Sequence, residues 1–208
     1  MQLKNTEWLI IANKKCMMNF DNIIEEMAMH GIPVPDTGVQ ISISNAKELM
    51  HEMLSKIIAR EHRQMQWIQP YDQVAEWLSD NKGLGLFMYG NCGLGKSLIA
   101  RYVIPGLLLR YHRKVVNVYD TNVMNAKIDE VLSKKIVCID DVGTEDLSVR
   151  FGEKRLAFAE VMDVAEKKRN LIIATSNLTI DEILERYGER VLDRIKSTTK
   201  RVVFTGKS

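Results

Sequence analysis

Gly90-Asn91-Cys92-Gly93-Leu94-Gly95-Lys96-Ser97 is entered from the apolar run Leu84-Gly85-Leu86-Phe87-Met88-Tyr89 and continues through Leu98 into a helical pattern. A G-x-x-x-x-G-K-[ST] spacing between a strand and a helix is that of a phosphate-binding loop. Its glycines let backbone N–H groups converge on anionic oxygens, and the following helix adds its positive N-terminal end. The reading assigns the nucleotide cradle to Gly90, Asn91, Cys92, Gly93, Leu94, Gly95, Lys96, Ser97 and Leu98. Lys96 is expected on the β- and γ-phosphates of ATP and the Ser97 hydroxyl on Mg²⁺, a hard cation that prefers oxygen ligands. Gly206-Lys207-Ser208 repeats the letters G-K-S without the upstream glycine, and is read as a chain-end fragment.

Outward from the loop, helix and strand signals alternate. Helices are expected over 71–79, 97–110, 121–134, 154–168 and 180–195. Strands are expected at the loop entry and over 115–119, 136–139, 171–174 and 202–204. The strands are nearly continuous Val, Ile and Leu, as when helices cover both faces of a parallel sheet. The predicted fold is α/β: a three-layer P-loop core with a five-stranded parallel sheet and a small helical N-terminal extension. That extension holds Met17, Phe20, Ile23, Ile24 and Met27 at helical spacing, stopped by Gly31, Pro33 and Pro35. A second helix begins at Asn45, with Glu48 placed for a capping box, and runs on before Pro70. Both helices are methionine-rich, and a partner-docking surface and packing on the core are equally open readings. The domain boundary is drawn between 64 and 65.

A chain of 208 residues with 46% hydrophobic content buries one good core and not two large ones. Its 29 basic and 27 acidic residues balance too closely for bulk charge to imply nucleic acid. No membrane-length apolar segment is present, and the reading is cytoplasmic. Cys16, Cys92 and Cys138 lack metal or disulfide spacing; Cys16 and Cys138 read as apolar filler and Cys92 as a loop residue.

Ile136-Val137-Cys138-Ile139-Asp140-Asp141 is an apolar strand ending in two acids, where open α/β sheets place ligand chemistry. Asp140 is expected to hold Mg²⁺ through its waters and Asp141 to orient the attacking water. Thr175-Ser176-Asn177 ends the next strand; Asn177 is read as a sensor near the γ-phosphate, or with Ser176 as a cap of the following helix. Arg190 and Arg194 stand four apart on a helix. They suit either an arginine finger or weak ion pairs with Glu185, Glu189 and Asp193 of the same helix.

The ordered set Gly90 to Ser97, Ile139-Asp140-Asp141-Val142-Gly143, Thr175-Ser176-Asn177 and Tyr187-Gly188-Glu189-Arg190-Val191-Leu192-Asp193-Arg194-Ile195 resembles the DnaC/IstB group of AAA+ ATPases over roughly residues 66 to 208. The resemblance implies an AAA+ core without a helical lid domain, and an assembly-dependent ATPase using ATP and Mg²⁺. It makes Arg194 the arginine finger acting in trans and Arg190 a second interface or sensor arginine. It also implies a replicative hexameric helicase bound through residues 1–64. Direct DNA contact rests on Arg150, Lys154, Arg155, Lys196, Lys200 and Arg201, because 120–135 is short for a DNA-contacting insertion. A helicase loader is the leading function. The alternatives are an IstB-like transposition ATPase that coats DNA, a small-molecule kinase, and a nucleotide-gated scaffold without turnover.

Overall fold

The protein is described by a computed structural model that covers residues 20–32, 34, 37–145, 148–150 and 153–206. Two compact units divide it, Met1–Asp36 and Thr37–Ser208. In the first, helix α1 (Phe20–Met29) ends where the N–H groups of Gly31 and Ile32 bond back to the carbonyls of Ala28 and Met27, closing its last turn. Cys16 and the start of the helix expected from residue 14 lie outside the described residues.

The second unit carries the parallel sheet. Its strands are β1 (Gly85–Gly90), β2 (Asn117–Asp120), β3 (Ile136–Val142), β6 (Leu171–Ser176) and β7 (Thr199–Phe204), in the order β2-β3-β6-β1-β7. The successive side chains of a strand point to opposite faces. Leu86, Met88, Cys138, Ile173, Val202 and Phe204 therefore pack on one side with helices α2 (Ala46–Ala59), α3 (Gln69–Ser79) and α4 (Lys96–Leu98 continuing through Ile99–Val103 to Ile104–His112). Phe87, Val137, Ile139, Ile172 and Ala174 pack on the other, with α5 (Thr121–Ala126), α6 (Ile128–Leu132), α7 (Ala157–Lys168), α8 (Ile180–Tyr187) and α9 (Glu189–Thr198). This is the three-layer α/β arrangement expected from the apolar runs.

The main unit begins at Thr37, ahead of the 64/65 boundary drawn from the sequence. Met50 and Leu54 of α2 are fully buried in the core, as are Ile41 and Ile43 before it. Asn81 staples this segment down: its side chain accepts from Ile41 N at 2.8 Å and donates to Val39 O at 2.9 Å. Asn45 does sit at the N-cap of α2, but its side chain makes no capping bond.

Four elements depart from the sequence pattern. Helix α4 runs as Lys96–Leu98, a π-helical turn Ile99–Val103, and Ile104–His112. The wider turn absorbs Pro105, which has no N–H to give the ladder and crowds the preceding turn. The helix expected over 121–134 is two short ones joined at Lys127, which leaves helical geometry. The helix expected from 154 is preceded by an antiparallel hairpin, β4 (Ser148–Arg150) with β5 (Glu153–Arg155), which holds the candidate DNA residues Arg150, Lys154 and Arg155. The helix expected over 180–195 breaks at Gly188, whose φ of +80° and ψ of 169° lie where side-chain-bearing residues are strained.

Candidate nucleotide-binding site

Strand β1 delivers the chain to the loop and α4 leaves it, so the cradle lies at the carboxyl edge of the sheet. Asn91 pins the loop entry: its N–H donates to Phe204 O at 2.8 Å and its side-chain amide to Gly206 O at 2.8 Å. At the exit Gly95 adopts φ +79°, and a Cβ there would stand 2.6 Å from the Tyr71 hydroxyl oxygen. Lys96 folds over the loop, its Nζ donating to Gly90 O at 2.9 Å and Asn91 O at 2.7 Å. Burial holds its pKa below the ordinary lysine value. Both acceptors are neutral carbonyls, so an anion offers the ammonium a stronger partner. The Ser97 side chain is exposed at the same edge.

A cleft of about 490 Å³ opens over the loop. Residues 92–98 form one wall, Asn177 stands at its edge, and the remainder comes from the segment between Ile58 and Tyr71, including Glu61, Gln64 and Gln66. The sequence reading ran the helix begun at Asn45 on through this segment toward Pro70 and gave it no part in the site, since nothing in its composition marks it. Of the candidate residues, the structure brings together the loop, Asp140, Asp141 and Asn177.

The two acids owe their position to a bulge. Ile139 pairs with Ala174 and Val142 with Ser176, so three steps along β3 match two along β6. Thr175 fills the gap. Its hydroxyl accepts from Asp141 N at 2.8 Å and donates to Asp140 Oδ1 at 2.6 Å. Asp141 takes φ +65°, a strained value for a residue with a side chain. Its carboxylate accepts from Asn177 Nδ2 at 2.7 Å. Burial first, and then the charge of Asp140, raise the pKa of Asp141 above the ordinary aspartate value. Asp140 is buried, and its second oxygen lies 3.3 Å from Arg101 of the π turn, which also pairs with Asp120.

Helix α8 is capped by Thr179, which forms a full capping box with Glu182. Asn177 is thereby left to Asp141. Just beyond β3, buried Glu145 accepts from Gly143 N at 2.7 Å and from the Tyr187 hydroxyl, while its carbonyl receives Arg186. This tie between the acid strand and α8 was not legible from spacing.

Arg190 and Arg194 stand apart from the cleft. They line a separate depression with Glu166, Glu189, Asp193 and Ser197. They pair with α7 rather than with acids of their own helix. Arg194, 11% exposed, meets Asp163 at 2.6 Å as an ion pair rather than a directed hydrogen bond, and Glu166 at 3.0 Å. Arg190, 72% exposed, reaches Asp163 at 3.1 Å. Of the candidate tail cluster, Lys196 pairs with Asp193 and Lys200 with Glu76.

A family model described as Novel STAND NTPase 3 (nSTAND3) matches residues 68–206, more than half of the chain and all of this site except the wall before α3. The chain belongs to the nSTAND3 family. No curated protein matches it. Among solved structures, the DnaC helicase loader superposes with a TM-score of 0.57 at 16% identity, covering 68% of this chain and 93% of that one. DnaI follows at 0.48 and 18% identity, over 60% of this chain and 71% of that one. AMPPCP-bound DnaA from Aquifex aeolicus gives 0.48 at 17% identity, over 78% and 51%. The nSTAND3 chain thus shares the fold of the DnaC structure, in agreement with the resemblance carried by its motifs.

Proposed function

We propose that this nSTAND3 protein is an ATP-hydrolysing AAA+ helicase loader of the DnaC type, working in the cytoplasm during DNA replication. The observation that carries the proposal is one cleft lined by a glycine cradle, a buried lysine and Asn177, which in turn holds the Asp141 carboxylate, on the fold of the DnaC loader. Gly90 to Leu98 would hold the phosphates, with Lys96 exchanging the carbonyls of Gly90 and Asn91 for phosphate oxygens. Ser97 and Asp140 would hold Mg²⁺; both offer hard oxygen ligands. Bound Mg²⁺ supplies neutralisation of charge developing on the phosphates. Asp141 orients the attacking water, and Asn177 fixes the carboxylate that does so.

Hydrolysis is completed by an arginine from a neighbouring subunit in a homo- or hetero-oligomer. Of the two arginines in that region, Arg190 is the more exposed and has only Asp163 to leave, whereas Arg194 must leave both Asp163 and Glu166. Partner binding falls to residues 1–64, of which 37–64 also build the core and one wall of the cleft. DNA contact, where it occurs, belongs to the hairpin β4–β5 and to exposed Arg201.

The test is light scattering after size-exclusion chromatography, with ATP and Mg²⁺, on the protein alone and mixed with the replicative helicase of the same genome. A defined co-eluting complex is the expected result. Self-assembly that ignores the helicase and requires duplex DNA would overturn the loader reading.

A further inference from the structure

Tyr71, near the start of α3, is 5% exposed, and its hydroxyl donates to Leu94 O in the phosphate loop at 3.1 Å. The ring is held in place from both sides. Trp67 meets it edge-on at 5.4 Å and 87°, and the Phe204 ring lies 6.1 Å away. Trp67 is itself fixed, its Nε1 donating to Asp72 at 3.1 Å while Lys47 of α2 sits 5.6 Å over its ring. The hydroxyl is also the atom that a Cβ on Gly95 would strike, so the loop is folded directly over it. Burial raises the pKa of Tyr71, which keeps the phenol protonated as a donor.

The peptide joining Leu94 to Gly95 is trans, so its C=O and N–H point in opposite directions. Whatever anchors one end of that plane aims the other. We infer that Tyr71 is a positioning residue for the phosphate cradle: by holding Leu94 O against the body of the protein, it turns the Gly95 N–H toward the bound phosphate. Were the plane to flip, a carbonyl oxygen would face the anion, and an attractive contact would become a repulsive one. The inference rests on the nucleotide-binding reading of the loop. It adds the element that fixes the loop's dipoles and ties them through Trp67 to α2.

The experiment compares Tyr71→Phe with Trp67→Phe and the parent, all as the full chain. ADP affinity is measured by calorimetric titration, the steady-state constants for ATP, and melting temperature without nucleotide. Tyr71→Phe should weaken ADP and raise KM for ATP about tenfold with kcat nearly unchanged, because the contact is made equally in ground and transition states. Inorganic pyrophosphate, which has phosphates and no base, should compete correspondingly less well. Trp67→Phe leaves the hydroxyl bond in place, and should lower the melting temperature without the tenfold change in affinity. Equal ADP affinity in the parent and Tyr71→Phe would overturn the inference while leaving nucleotide binding intact; a parent protein that fails to bind ADP would overturn the reading beneath it. Amide exchange supplies a second readout: the Gly95 N–H should be protected by ADP in the parent, and absence of that protection would also overturn the inference.

Discussion

Thr175 shows how much one side chain arranges. Its hydroxyl spends its proton on Asp140 and its lone pair on the Asp141 backbone, so both acids are placed by a residue with no acid–base role of its own. Thr175→Val keeps the shape and removes both bonds; turnover should fall about tenfold or more, with ADP affinity largely kept, since buried groups left unpaired are costly. Single-turnover assays beside ADP titration would separate the two effects. Asp141→Asn should leave binding intact and cut hydrolysis by about 100-fold or more. Unchanged turnover would remove Asp141 from the water-orienting role. Lys96→Ala should abolish measurable nucleotide binding in the same titration. The motif residues were legible in the sequence because phosphate chemistry constrains spacing along the chain. Thr175, Arg101 and Tyr71 act across the sheet or from beneath the loop, where separation in sequence carries no signal. Asn177 was open between sensor and cap in the sequence; in the structure Thr179 takes the cap and Asn177 bonds Asp141.

At the scale of elements, the strands were readable because burial on both faces demands uninterrupted Val, Ile and Leu. Three of the four departures share a different cause: each interrupts a pattern whose apolar periodicity continues across the interruption. Ile183 and Tyr187 before Gly188, and Val191 and Ile195 after it, all enter one core, so periodicity reported a single helix where two stand. Gly188→Ala should therefore cost about 1–3 kcal/mol of stability by forcing a side chain into a conformation almost reserved for glycine. Thermal melts should show the loss, and an unchanged melting temperature would mean that α8 and α9 can realign as one helix. Because Glu145 binds Tyr187 just before this break, Tyr187→Phe should also lower stability, leaving a buried carboxylate with one fewer donor.

For the whole molecule, the division at 36/37 makes two truncations informative. Removing residues 1–36 should leave a folded 37–208 protein that binds ADP like the parent, while weakening capture of a partner that uses the N-terminal region. Removing 1–64 should fail differently. It strips Met50 and Leu54 from the core and takes away Ile58 and Glu61 from the cleft wall, so both melting temperature and ADP affinity should drop. Equal behaviour of the two truncations, read by calorimetry and melting, would return the boundary to 64/65.

Asn91 bonds the first turn of the phosphate loop to Phe204 and Gly206, and β7, which those residues terminate, lies at the margin of the sheet with β1 as its paired neighbour. A displacement of the segment after Phe204 therefore reaches the loop entry through those two hydrogen bonds as well as the sheet through the β7–β1 ladder. Loosening that edge strand should therefore loosen the entry of the loop with it.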